Sequence, residues 1–258
     1  MITIGTDVEV FLYGPEGFSP AHNHLTGTKE EPQEVNGGAV QVDGVAAELN
    51  TVPASTFEDF EDSLQRVTDS MLDITKGVSI LSQVTVPVDL ATLPPEFKRL
   101  SCMSDMDPYD KDVNPSLNQD FPYRSAGGHI HIGGIWGEGM TKMERYGEGM
   151  RLARLMDKYV GVYSLLWDKD NTRRSTYGKA GAFRMKDYGI EYRALSNAWF
   201  FMPELREFVF NATLKACDAL KRGEDVGTMY RDIINKNDIS HQFFWWDHQA
   251  QDLEVMLA

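Results

Sequence analysis

Four short stretches of the chain repeat one arrangement: two polar residues capable of chemistry, separated by one position and set among apolar neighbours. They are Asp7 and Glu9, Glu48 and Asn50, His129 and His131, and Glu191 and Arg193. In an extended strand, residues two apart face the same side, roughly 6.5 Å from each other. The neighbours Val8 and Val10, Leu49, Ile130 and Ile132, and Ile190 and Tyr192 then face the opposite side. Each stretch predicts a strand with one buried face and one polar face. Arg184, between Phe183 and Met185, follows the same rule. Placed in one sheet, these strands gather carboxylates, imidazoles and guanidiniums on one surface. Crowded carboxylates repel one another, and bound cations offset that repulsion. Oxygen donors with few imidazoles favour magnesium or manganese over zinc. Arginines beside acidic metal ligands suit a polyphosphate, which takes metal on some oxygens and guanidinium on others.

Any one of these pairs alone is ordinarily a solvent-facing strand edge, and a lone His-x-His is more often structural than a ligand. The weight comes from four pairs of one geometry bounded by glycines or turn signals. Gly127-Gly128 before His129 and Gly133-Gly134 after His131 predict close approach of backbone to a ligand. Gly178 and Gly181 predict a flexible loop ahead of Arg184.

The elements that would position these residues follow from periodicity. Residues 2–13 alternate as a strand, as do 39–51 with a break at Asp43-Gly44. Residues 14–38 read as loop or short hairpin. A helix is predicted over 56–76, with Ser55 and Glu58 as a capping box and Phe57, Phe60, Leu64, Val67, Met71 and Ile74 as its apolar stripe. Residues 78–88 read as a strand stopped by Pro87. Residues 92–124 form a long irregular segment carrying five prolines, expected to be a substrate-side lid or wall with Phe97, Met103, Met106, Tyr109 and Phe121 as apolar contacts. Strands are expected near 128–135, 180–187 and 189–195. A long helix is expected from Thr141, capped with Glu144, to Trp167, and another from Pro203 to near Gly223. The remainder reads as one short helix and an aromatic segment, Phe243 to Trp246. Strands and helices do not alternate regularly, so an α+β fold with a predominantly antiparallel sheet is expected.

The chain has 258 residues, 42% hydrophobic and 25% charged, which suits a globular protein with a sizeable core. Its net charge of -14 repels phosphate backbones and anionic lipid, which argues against duplex nucleic acid or a membrane surface as partner. The beginning of the chain lacks a signal-peptide pattern, and no stretch approaches the length of a membrane span. Cys102 and Cys217 read as free thiols, and a cytoplasmic location is expected.

The ordered set Gly5-x-Asp7-x-Glu9, Glu48-x-Asn50, Gly128-His129-x-His131-x-Gly133, Arg184 and Glu191-x-Arg193 resembles the carboxylate-amine ligases of the glutamine synthetase and glutamate–cysteine ligase superfamily. The segment Tyr123–Gly133, with the acidic, proline-punctuated loop before it, is similar to the compact phage-encoded branch, which implies host cytoplasm as the setting. The matching motifs span residues 3–199, within one ligase domain over 1–258 whose part 203–258 is helical. The resemblance implies a curved antiparallel sheet with helices on its convex side, as in a glutamine synthetase catalytic domain. Its concave face would hold ATP and two or three Mg2+ (or Mn2+) ions. A substrate carboxylate, small or peptidic, would take the γ-phosphate, and an amine would attack the acyl phosphate to give an amide. The family pattern assigns metal to Asp7, Glu9, Asp43, Glu48, His129 and Glu191. It assigns phosphate or nucleotide to His131 and Arg184, with Arg173, Arg174 and Lys179 as further phosphate contacts. Asn50, Arg124 and Arg193 fall to the substrates, and Arg184 and Arg193 to catalysis. Two departures stand out. Asp7 occupies a position where many relatives have Glu, and its shorter arm alters metal spacing. The chain is also far shorter than the glutamine synthetases, so their subunit arrangement does not transfer, and homo-oligomerisation stays open.

Three other readings compete. A metal-dependent amidohydrolase would need further histidines at later strand ends and a βα alternation; His22, His24, His241 and His248 fall in loop or tail. A guanidino-substrate kinase resembles the same fold and differs in forming no acyl phosphate. A non-catalytic binding module would have no use for the full set of acidic, histidine and arginine positions.

Overall fold

The computed structural model describes residues 1–98, 105–115 and 121–258. The chain opens with strand β1 (Thr3–Gly14), followed by β2 (Gly17–Ser19), a 3-10 turn at Ala21–Asn23, β3 (Gln33–Val35), β4 (Gly38–Asp43) and β5 (Ala46–Thr51). Helix α1 (Phe57–Thr75) precedes β6 (Ser79–Leu81), β7 (Thr85–Pro87), the short helix α2 (Pro95–Lys98), β8 (Met106–Asp107), β9 (Asp112–Val113), β10 (Tyr123–Ser125) and β11 (Gly128–Gly133). Next come α3 (Lys142–Met156), a π-helical turn (Asp157–Gly161), α4 (Ser164–Trp167), α5 (Asn171–Thr176), β12 (Phe183–Lys186) and β13 (Gly189–Tyr192). A 3-10 turn at Asn197–Phe201 leads into α6 (Pro203–Lys221), α7 (Met229–Lys236), α8 (Phe243–Trp246) and α9 (His248–Leu257).

Among the described residues the main sheet runs in the order β3-β4-β5-β1-β11-β13-β12-β8-β9, with β2 and β6 also pairing β1. Its pairings are antiparallel, as expected from the sequence. The four strands that carry the polar pairs, β5, β1, β11 and β13, are neighbours at the centre of this sheet. Their apolar residues fill the opposite face. Val8, Val10, Leu49, Ile130, Ile132, Ile190 and Tyr192 share one buried cluster with Phe60, Leu64, Val67 and Met71 of α1, Leu152 and Ala153 of α3, and Val209 and Phe210 of α6. Each fully buried aliphatic side chain contributes roughly 1.5–3 kcal/mol, so the alternation itself fixes which face turns outward. A smaller cluster joins Phe11 of β1 and Val86 of β7 with Val45, Ala46, Val88, Leu93 and Ala126.

The structure corrects four local expectations. The cap of α1 is Thr56, whose side chain accepts from the backbone N–H of Asp59 at 3.2 Å; the Ser55–Glu58 pair is one residue too early. The helix from Thr141 keeps its predicted capping box but not its continuity, because the π turn at 157–161 separates α3 from α4. The chain after Gly223 holds three helices where one and an aromatic segment were expected. The glycines around the histidines make room for the protein's own groups. A Cβ at Gly127 would lie 2.2 Å from His129 Nε2, and one at Gly128 would lie 2.5 Å from Ser196 O. Cys217 is buried with a free thiol, and burial pushes it up to about 12; Cys102 and Met103 lie outside the described residues.

Candidate metal and phosphate site

Strand register places the polar residues in rows across the outward face. One row runs Gln41, Glu48, Glu9. The next runs Asn50, Asp7, His129. The third runs Gly5, His131, Glu191, Arg184. Cross-strand partners lie roughly 5 Å apart, so no row could slip without moving every polar group into the core.

Two groups of ligand atoms converge on this face. Asp7, His131 and Glu191 form one, and Glu9, Asp43 and Glu48 the other; within each group the donor atoms lie within 4.8 Å of one another. The donor set is carboxylate oxygen with one imidazole, which fits magnesium or manganese. The electrostatics of the second group agree. Burial pushes the Glu9 carboxyl up to about 7, with the Asp43 and Asp7 charges adding to it and the Gly127 N–H, at 2.7 Å from Oε2, opposing it. Burial and the charges of Asp7, Asp43 and Glu9 hold Glu48 well above its ordinary value. A cation here would reverse both shifts. Gln41 donates to Glu48 Oε1 at 2.8 Å, and Lys29 lies 3.0 Å from Asp43 Oδ2.

Asp7 stands between the two histidines, Oδ1 at 3.0 Å from His129 Nδ1 and Oδ2 at 3.1 Å from His131 Nε2. Burial alone would raise the Asp7 carboxyl, but the two imidazoles outweigh it and hold it well below its ordinary value. The same contact raises His131 against the effect of burial. Burial and the neighbouring Arg193 depress His129 to about 4, against the pull of Asp7 and Glu191. The structure thus brings His131 into the ligand group, whereas His129 Nδ1 lies 3.7 Å from Glu191 Oε1 and its Nε2 lies 3.0 Å from the Tyr177 hydroxyl.

Glu191 is surrounded by cations. Arg193 Nη1 contacts Oε1, Arg184 Nη1 lies 3.8 Å from the same oxygen, and Lys186 Nζ lies 2.7 Å from Oε2. Burial and Asp7 would raise this carboxyl, but Arg193, His129 and His131 carry it down to about 2. Arg193 also contacts the Tyr177 hydroxyl and lies 3.5 Å from Asp105 Oδ2.

Other residues singled out by sequence have different surroundings. Arg173, fully buried, donates to the carbonyls of Ala194 at 2.9 Å, Arg193 at 3.2 Å and Leu195 at 2.7 Å, and so braces the backbone behind Arg193. Arg174 donates to Ser164 Oγ and pairs with Asp168 at 3.3 Å, also buried. Arg124 Nη1 donates to the carbonyls of Phe121 and Tyr123, both at 2.9 Å. Lys179 is half-buried in the turn before β12. That turn is pinned and not slack: Ala180 N–H donates to Asn235 Oδ1 at 2.8 Å and Gly181 N–H to Asp157 Oδ1 at 2.7 Å. Tyr109, expected as an apolar contact for substrate, donates its hydroxyl to Asp157 Oδ2 at 2.7 Å.

Tyr177, Tyr188, Lys186, Lys29 and Asp105 escaped the sequence reading. Tyr177 and Tyr188 each contact one histidine, but both come from turns, which carry no periodic signal. Lys186 was legible, two residues beyond Arg184 on the same face. Asn50, His131 and Tyr188, with Thr3, Gly5, Thr6, Thr51, Pro53 and Gly133, line a cavity of about 350 Å³ beside the Asp7 group.

Residues 118–225 match the family model described as Phage phiEco32-like COOH.NH2 ligase-type 2. The match supports the phage-type carboxylate-amine ligase family. It takes in His129, His131, Arg184, Glu191 and Arg193; Asp7, Glu9, Asp43 and Glu48 lie before it and join these only through the sheet. Curated proteins give no match to the chain. Among the described residues, no helix is long and apolar enough to cross a membrane.

Proposed function

We propose that this chain is an ATP- and Mg2+ (or Mn2+)-dependent ligase that joins a carboxylate to an amine through an acyl phosphate. The observation that carries the reading is the adjacency of two cation-ready groups, Asp7–His131–Glu191 and Glu9–Asp43–Glu48, to the Arg184, Lys186 and Arg193 cations on one sheet face. The family match supports the ligase class. The chain would form one such domain over 1–258, its sheet curved as in a glutamine synthetase catalytic domain with the helices on the convex side.

In this reading Asp7, His131 and Glu191 hold one ion and Glu9, Asp43 and Glu48 another; a third would fall to the nucleotide. The ions, when bound, neutralise charge on the transferring phosphoryl group. Arg184 binds the phosphate chain from the neighbouring strand, and Arg193 holds the carboxylate oxygen that receives the phosphoryl group. Tyr177 and Arg173 keep Arg193 in place, the first at its guanidinium and the second at its backbone carbonyl. Gathering these groups on a rigid sheet centre supplies orientation, worth up to ~7–11 kcal/mol in favourable cases. Among the described residues, none that lines the cavity beside His131 carries a carboxylate, which suits the uncharged part of the nucleotide.

Calorimetry with ATP in magnesium and in excess chelator tests the first step. Equal affinity in both would overturn the reading. An ADP-release screen against pools of carboxylates and amines, with hydroxylamine to trap acyl phosphate, tests the rest. ADP release with a guanidino acceptor and no hydroxamate would make the protein a kinase.

A further inference from the structure

Among the described residues, Glu191 carries a carboxylate shared between a ligand group and three cationic side chains. It contributes to the Asp7–His131 group. Its two oxygens also receive Arg193, Arg184 and Lys186, from β12 and from the residue after β13. Lys186 stands apart in character. Its side chain keeps 33% exposure while reaching a carboxylate that is 1% exposed, so it is a solvent-side cation folded inward onto a buried anion. It lies two residues beyond Arg184 on β12, on the same face, and opposite Gly189 at the turn.

From this geometry we infer that Glu191 exchanges its counterions, and that Lys186 is a phosphate-binding residue released by that exchange. The inference rests on the proposed ligase reading. A divalent ion and an ammonium drawn to one carboxylate repel each other, so each weakens the hold of the other. An ion taken by Glu191 therefore turns Lys186 outward, together with the exposed part of Arg184. Both then face the outer side of the sheet as cations whose shared anion is neutralised. A polyphosphate brought to that side meets them within one strand of the ion. Metal and phosphate binding are thus coupled through one carboxylate: Glu191 screens the cations while the metal is absent and yields them when it arrives. The bland alternative, a static ion pair that serves stability alone, predicts no link between the two ligands.

The two readings differ in sign, and the difference is measurable without turnover. Inorganic tripolyphosphate in excess chelator is titrated by calorimetry into the wild type, Glu191→Gln and the double variant Glu191→Gln/Lys186→Met. Removing the anion should tighten metal-free tripolyphosphate binding by at least about tenfold, roughly one charge-assisted contact. The added Lys186→Met change should abolish most of that gain. In parallel, Mn2+ alone is titrated into Lys186→Met. Loss of the competing ammonium should raise Mn2+ affinity by about threefold, the scale of a half-exposed ion pair. Unchanged tripolyphosphate affinity in a folded Glu191→Gln overturns the inference. So does unchanged or weaker Mn2+ affinity in Lys186→Met, a half-exposed position whose replacement leaves the core intact and which decides the matter if Glu191→Gln fails to fold. If the wild type fails to bind ATP with metal, the ligase reading falls, while the chelator experiment still decides the exchange.

Discussion

Glu9 and Glu48 sit directly opposite each other on β1 and β5, both buried and both held above the ordinary carboxyl range. Two like charges at a cross-strand pair are destabilising unless something lies between them. Glu9→Gln should therefore raise the melting temperature in chelator at about pH 8, by roughly 2–4 °C for each kcal/mol of repulsion removed. The same variant should lose at least about tenfold in Mn2+ affinity, as one ligand is gone. Calorimetry and thermal melts check both halves. A variant that is less stable in chelator, with metal affinity intact, would show that Glu9 belongs to the fold and not to a metal.

Asp157 predicts the pH dependence of the metal-free chain. Its carboxyl accepts from Tyr109 and Tyr192 hydroxyls and the Gly181 N–H, yet burial still pushes it from 3.8 up to about 7. Between those values the folded chain keeps a proton that the unfolded chain has released. The stability this contributes is fully present below the unfolded value and is lost as pH rises through the folded one. Glu9, raised to about 7, adds the same sign. Melting temperature in chelator should fall from about pH 5 to about pH 8. Asp157→Asn should flatten part of that slope, and an unchanged slope would contradict the assignment.

The position of the α1 cap gives a direct test of helix entry. Thr56→Ala should cost about 1 kcal/mol, because the Asp59 N–H loses its acceptor. Ser55→Ala should stay within about 0.5 kcal/mol, as expected of a surface change. Urea denaturation of both variants decides between the two caps.

How much of this was legible in the sequence depends on periodicity. The two-residue alternation of Asp7/Glu9, Glu48/Asn50, His129/His131 and Glu191/Arg193 is a strand signal, and the four strands do lie side by side. What periodicity cannot carry is partnership across turns. Tyr177 and Tyr188 reach the histidines from irregular segments, so no spacing announced them. Arg173 looked like a phosphate ligand because an arginine in sequence carries only its charge. Its task, bracing three carbonyls after β13, depends on burial that only the fold reveals. The π turn at Asp157 was hidden for a related reason. The π turn breaks the regular helical repeat at Asp157, whose carboxylate is buried, and burial shows only in the fold.

Arg193 is the residue on which catalysis and stability are hardest to separate. It is 3% exposed and touches Glu191, Tyr177, His129 and Asp105. A buried guanidinium with this many partners holds the face together, so truncation to Ala would unsettle the sheet centre and report on folding. Arg193→Lys retains the charge and most of the stem but not the planar fork that can span two oxygens. In the metal-free chain its ammonium can still pair with Glu191. What it loses is simultaneous contact with a second anion, the group that Arg193 is proposed to hold during phosphoryl transfer. A contact made mainly in the transition state lowers kcat, whereas one made equally in the ground state raises KM. We expect Arg193→Lys to lower kcat/KM by at least about tenfold, or roughly 1.4 kcal/mol, mostly in kcat. The melting temperature should fall by only a few degrees, the scale of about 1 kcal/mol in a chain of this size. Steady-state kinetics with a substrate pair from the ADP-release screen, together with thermal melts, would check it. Near-normal kinetics combined with a large loss of melting temperature would make Arg193 a structural residue.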